Sequence, residues 1–153
     1  RKLETEFRTR QFTPLCKDGT FRRYRFPRRK AKILVEAGRW LLQTCDFHLV
    51  DLLGSNPRQN RDVLLRCPGF GYKTASWFLR NIGLGSRLAI LDVHVYRTLK
   101  EFAIIPPALR LESDYLEIER LFCDACQAIG AEAARMDLVL WEWSRGGVYE
   151  QMH

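Results

Sequence analysis

Apolar residues recur at helical spacing along nearly the whole chain. Between residues 28 and 44, Ile33, Leu34, Ala37, Trp40 and Leu41 fall on one face. Residues 57–66 begin at Pro57, a residue that suits the first turn of a helix, and carry Val63 and Leu64. Residues 73–83 place Ala75, Trp77, Phe78 and Ile82 on a third helical pattern, which stops at Gly83. After the turn Gly83-Leu-Gly-Ser, the run Leu88 to Leu91 is apolar, and Asp92 opens a further helix to about Phe102. Pro106 and Pro107 interrupt the chain; Ser113 then predicts a cap for a helix carrying Tyr115, Ile118, Phe122, Cys126 and Ile129 on one face. The last predicted helix, about 131–145, is apolar on most sides between Met136 and Trp143 and is expected to be buried. Strand signals are weak and confined to roughly residues 11–26, so the fold class is all-α.

A length of 153 residues suits a single domain over 1–153, or two small lobes sharing a core. The apolar runs fall short of the ~18 to 20 residues a membrane span needs, and the start shows no secretory leader. A formal charge of +7 changes the picture because it is uneven: residues 1–60 hold 14 Lys and Arg against 6 acids, residues 61–153 hold 11 against 12. A basic front half predicts a polyanionic partner, nucleic acid before membrane, with a merely solvated basic surface as the alternative. Cysteines at positions 16, 45, 67, 123 and 126 make no even framework and point to free thiols in a reducing compartment. Cys123 and Cys126 form one CxxC, which without a second pair completes neither a four-ligand zinc site nor an iron–sulfur cluster.

The candidate chemistry sits in CPGFGYKTASWFLRN, residues 67–81. Gly69 and Gly71 allow a tight turn between two helices, and backbone N–H groups exposed there can hold a phosphate. Lys73 stands at the positive end of the following helix, a place that disfavours a cation by roughly a few tenths to 1 kcal/mol. The position therefore asks for a reason beyond helix design, and one reason is an amine that works uncharged. Asp92, 19 residues on, is by itself an N-cap. Taken with Lys73, it supplies the second half of a reaction: an amine nucleophile, and a carboxylate able to stabilise positive charge developing on a sugar during attack at an N-glycosidic carbon.

The segment LLRCPGFGYKTASWFLRNIGLGSRLAILDVHVYRTLKEFAII, residues 64–105, resembles the helix-hairpin-helix DNA glycosylases, most closely the archaeal-type 8-oxoguanine DNA glycosylase/AP lyases. YRFPRRKAKIL (24–34), DYLEIERL (114–121) and DLVLWEW (137–143) extend the likeness over residues 24–145. The resemblance implies that Lys73 attacks the sugar and forms a Schiff base, that Asp92 assists, and that a damaged nucleotide is flipped out before its base is cleaved and the strand nicked by β-elimination. It also implies a base held between Phe26 and Trp141, whose plainer readings are a hydrophobic anchor beside a basic loop and a core Trp. DNA-backbone binding falls to Gly69, Phe70, Gly71, Arg25, Arg28 and Arg29, with Arg22 and Arg23 in the same aromatic-interleaved stretch. The implied partner is double-stranded DNA containing a damaged base, met by a monomer inside the cell: in the cytoplasm or nucleoid of a prokaryote, or the nucleus of a eukaryote. The implied cofactor set holds no metal site, and at most a monovalent cation on the hairpin carbonyls.

Two stretches depart from the archaeal pattern. Where those proteins end on a base-recognising lysine, this chain reads GGVYEQMH, with Glu150 near that place and His153 last, which leaves base preference open. Residues 1–23 match the family's leading helical segment poorly, so part of that segment is expected to be lacking or rebuilt. Alternatives of function are a catalytically silent helix-hairpin-helix module that only docks DNA, and a glycosylase of another base specificity. His48 and His94 receive no role.

Overall fold

The structure, a computed structural model, describes residues 1–9, 19–21 and 24–145. The weak strand signals at 11–26 fall largely outside these residues, as do Cys16, Arg22, Arg23, Glu150 and His153. Among the described residues all regular structure is helical. The chain divides into two compact units, Arg1–Leu52 with Arg66–Gly69, and Leu53–Leu65 with Phe70–His153.

In the first unit, α1 (Lys2–Thr9) lies against α2 (Pro27–Cys45), and a short 3₁₀ turn follows at Leu49–Leu52. Proline at its first position starts α2, and the preceding Phe26 takes a left-handed backbone, φ 58 and ψ 54, that side chains other than glycine adopt at a cost. Phe7 and Tyr24 meet with ring centroids 4.6 Å apart. The apolar face read from the sequence is only half covered: Ala31 is the buried residue of α2, Ile33, Ala37, Trp40 and Leu41 are half-buried, and Leu34 is exposed. Gly69 belongs to this unit. Its φ of +92 suits glycine, and a Cβ there would overlap Ile33 Cγ2.

The second unit holds α3 (Pro57–Leu65), α4 (Tyr72–Asn81), α5 (Val93–Glu101), α6 (Tyr115–Ala128) and α7 (Ala133–Arg145). Asn56 caps α3, its Oδ1 accepting from the N–H groups of Arg58 and Gln59 at 3.0 and 3.3 Å. α4 closes before Gly83, whose φ of +80 lets Leu84 donate back to the Leu79 carbonyl at 2.8 Å. The core joins Ala89 and Leu91 to Val95 and Leu99 of α5, and to Tyr115, Ile118, Phe122 and Cys126 of α6.

Two expectations need correction here. The cap of α6 is Asp114, one residue past Ser113, and its side chain bonds no N–H of that helix; Oδ2 instead accepts from Arg110 N at 2.8 Å and from the Ser113 hydroxyl at 3.1 Å. The serine is thus already engaged with the aspartate. α7 is buried along one stripe only. Met136, Leu140 and Trp141 pack against the core, whereas Leu138 and Val139 are 56% and 58% exposed, because packing on α5 and α6 covers a single side of the cylinder.

Candidate active site

Two helix starts of the second unit build the site. Gly71 is the N-cap of α4, with φ −111 and ψ 176, and as a glycine it offers the first N–H groups of α4 no side-chain cap. Lys73 follows in the first turn. At α5 the cap is Asp92, whose Oδ1 accepts from His94 N at 2.8 Å and Val95 N at 3.0 Å. One oxygen therefore does all the capping and the other turns toward α4: Asp92 Oδ2 lies 3.6 Å from Lys73 Nζ.

A cavity of about 390 Å³ opens at this pair, lined by Lys73, Trp77, Asp92, Asp137 and Trp141 among others. Trp77, one turn beyond Lys73, has its ring centroid 5.9 Å from Nζ. Trp141 is partly buried against the core, as its plainer reading has it, and also walls the cavity. The Lys73 side chain is 44% exposed against 9% for Asp92. The amine read from the sequence as one that works uncharged is therefore partly in water. A glycine N-cap brings no side chain to cover the residue two places on, and space around Gly71 is open.

Phe26, Arg25, Arg28 and Arg29 belong to the first unit. Phe26 is 67% exposed with the Arg25 guanidinium 5.6 Å from its ring centroid, and Arg28 and Arg29 line a surface hollow with Phe26, Arg8 and Lys32. Arg22 and Arg23 lie outside the described residues, as does the tail with Glu150 and His153.

The sequence reading missed the polar frame that walls and supports the pocket. Arg80 of α4 and Asp137 of α7 pair through two bonds of 2.7 and 2.6 Å; Asp137 Oδ2 also accepts from Ile90 N at 2.6 Å, and Arg80 donates to the Leu88 carbonyl at 2.8 Å. Arg61 of α3 and Glu119 of α6 form a second two-bond pair at 2.7 and 2.8 Å, both side chains nearly out of water. Burial works to lower the Arg61 pKa, but the hydrogen bonds and charge of Glu119 outweigh it and hold the guanidinium above its ordinary value. Tyr115, also of α6, is pushed up to about 12, chiefly by burial. An acid inside the apolar runs YLEIERLF and MDLVLW was the available signal, since a buried carboxylate requires a partner.

A family model described as 8-oxoguanine DNA glycosylase matches residues 4–131. The chain belongs to this family. The 8-oxoguanine DNA glycosylase/AP lyase of Fusobacterium nucleatum is 33% identical over 131 residues, covering 82% of this chain and 60% of that protein. The protein of the same description from Methanocaldococcus jannaschii is 34% identical over 130 residues, with 82% and 59% covered. A crystal structure of the 8-oxoguanine DNA glycosylase of Thermotoga maritima superposes with a TM-score of 0.60 at 36% identity, over 80% of this chain and 57% of that one. The fold is accordingly the helix-hairpin-helix glycosylase fold. The chain spans about 60% of the length of the curated relatives it matches.

The family match reaches back to residue 4, well ahead of residue 24 where the readable motifs begin, and so takes in α1. Residues 4–23 thus fall within the family match although their letters carry no readable family motif. A surface helix identified mostly by its spacing and charge leaves few distinctive letters to read. The match ends at 131, before the DLVLWEW segment of α7.

Proposed function

We propose that this chain excises 8-oxoguanine from double-stranded DNA and then nicks the abasic strand. The observation that carries the reading is the Lys73–Asp92 approach of 3.6 Å at the mouth of an aromatic-walled cavity. In the reaction a deoxyribose of an extruded nucleotide enters that cavity and displaces water from around Lys73, which favours the neutral amine. The Lys73 nitrogen then forms a bond to C1′ as the bond from C1′ to the base breaks and the base leaves with the electron pair. Asp92 Oδ2, left free by the capping geometry, stabilises the positive charge on the sugar and receives a proton from the nitrogen. Opening of the ring gives an imine between Lys73 and C1′, and loss of a C2′ proton expels the 3′ phosphate.

Trp141, in the cavity wall, and Phe26, exposed in the first unit, are the proposed aromatic contacts of the extruded base. Exposed N–H groups at Gly69, Phe70 and Gly71, with Arg25, Arg28 and Arg29, hold backbone phosphates. The chemistry runs on an amine and a carboxylate; a monovalent cation on the hairpin carbonyls is the proposed accessory ion. The proposed working form is a monomer acting inside the cell, on its DNA.

The test is trapping. Incubation with an 8-oxoguanine duplex and borohydride is expected to yield a covalent protein–DNA adduct that Lys73→Gln abolishes. A full adduct from Lys73→Gln would remove the lysine from the chemistry. No adduct from the wild-type chain on any lesion or abasic duplex would favour a DNA-docking module, and an adduct confined to a different lesion would reassign base specificity.

A further inference from the structure

The two reacting groups sit on separate helices, and nothing in either helix by itself fixes the distance between them. Lys73 is carried by the first turn of α4, and Asp92 by the end of the apolar segment Leu88–Leu91. One side chain reaches both carriers. The Tyr115 ring stacks on Tyr72, the neighbour of Lys73 in the chain, with centroids 5.1 Å apart and planes 16° from parallel. Its hydroxyl donates to the Ala89 carbonyl at 3.1 Å and accepts from Leu91 N, next to Asp92, at 3.1 Å. Glu119, one helical turn along α6 from Tyr115, does the same with charge. It accepts from Ala89 N at 3.2 Å and holds Arg61, which donates to Ser76 of α4 at 3.2 Å and lies 5.4 Å from the Tyr72 ring centroid. Tyr115 is 5% and Glu119 4% exposed, so water does not compete for these bonds.

We infer that Tyr115, backed by the Glu119–Arg61 pair, is a positioning residue for the reaction: it sets the separation of the Lys73 amine from the Asp92 carboxylate. This rests on the function proposed above. The hydroxyl spans an acceptor and a donor two residues apart in the segment leading to Asp92, while the ring registers the start of α4 against that segment. Loss of the hydroxyl frees the Asp92 side of the contact and leaves the ring stacked on Tyr72. A misplacement of about 1 Å between reacting groups is enough to slow a reaction by on the order of a hundredfold. DNA binding, which draws on the hairpin and the arginines, has no part in this bracket.

The test compares Tyr115→Phe with Ile118→Val, a change to a fully buried core residue of the same helix whose side chain makes no hydrogen bond to either carrier. Each is measured against the wild-type chain for melting temperature, duplex affinity and the single-turnover rate of borohydride trapping, at a temperature where all three are folded. Tyr115→Phe is expected to trap about ten- to a hundredfold more slowly with duplex affinity unchanged, and Ile118→Val to trap at the wild-type rate although its melting temperature also falls. A wild-type trapping rate in Tyr115→Phe, an equal slowing in Ile118→Val, or a loss in duplex affinity matching the loss in rate would each overturn the positioning role. The failure of the proposed function looks different: the wild-type chain would then give no adduct at all, and the positioning role would fall with it.

Discussion

Arg80 and Asp137, 57 residues apart in the chain, meet through two hydrogen bonds of 2.7 and 2.6 Å in the wall of the candidate active site. The pair is a strut, since each partner also binds the backbone of the Leu88–Leu91 segment. Asp137→Ala leaves the guanidinium and Ile90 N without their acceptor. Breaking a buried pair on one side costs about 3 kcal/mol, and that loss is expected in urea unfolding. An unchanged midpoint would show the pair to be dispensable for the fold.

Asp92 divides its tasks between its two oxygens, so substitutions can separate them. Asn at position 92 keeps an oxygen able to accept from His94 N and Val95 N, and asparagine is as good a cap as aspartate. Asp92→Asn should therefore melt within a few degrees of wild type and bind duplex normally while base removal slows sharply. Asp92→Ala should lose the same activity and about 1 kcal/mol of stability besides. Equal losses of duplex binding and base removal in Asp92→Asn would reduce the residue to a helix cap.

The two hairpin glycines have different reasons to be glycine. At Gly69 both the φ of +92 and the approach of Ile33 exclude a side chain, so Gly69→Ala is expected to cost about 1 to 3 kcal/mol with or without DNA. Gly71 has an ordinary φ of −111, and a Cβ there would meet nothing within 4 Å. Folding makes no demand for glycine at 71, which leaves close approach of a ligand as the demand. Gly71→Val should unfold near the wild-type midpoint and bind duplex several-fold more weakly whatever the lesion; wild-type affinity would take this turn out of the interface.

Alkaline pH should weaken the fold through Tyr115. Its ordinary pKa of 10 rises to about 12 on burial, so between those values the unfolded chain has released a proton that the folded chain retains. The contribution is complete below about pH 10 and is lost as the pH climbs toward about 12, by roughly 2 kcal/mol. Cys123, raised from 9 to about 11 chiefly by burial, acts in the same direction. Stability measured across this range should fall less steeply in Tyr115→Phe, and an unaltered slope would discount the tyrosine.

Much of the second unit was legible in the sequence. Pro57, Asp92, Gly83 and the 3.6-residue spacing marked helix ends that α3, α4 and α5 reproduce closely. Lys73 and Asp92 were readable because each occupies a helix start, where local rules say what an unremarkable residue would be. Trp141 joined them through the resemblance alone. The polar frame was hidden, since Arg61, Arg80, Glu119 and Asp137 each look like ordinary surface charges until partners 57 or 58 positions away are brought together. The exposure of Leu138 and Val139 was hidden for the converse reason: composition tells how apolar a helix is, and only packing tells how many of its sides are covered.

The sulfur atoms carry a last consequence. Burial raises the thiols of Cys67, Cys123 and Cys126 above their ordinary range, so near neutral pH they stay protonated and make slow targets for peroxide. These three cysteines are tempered against the same agents that damage guanine.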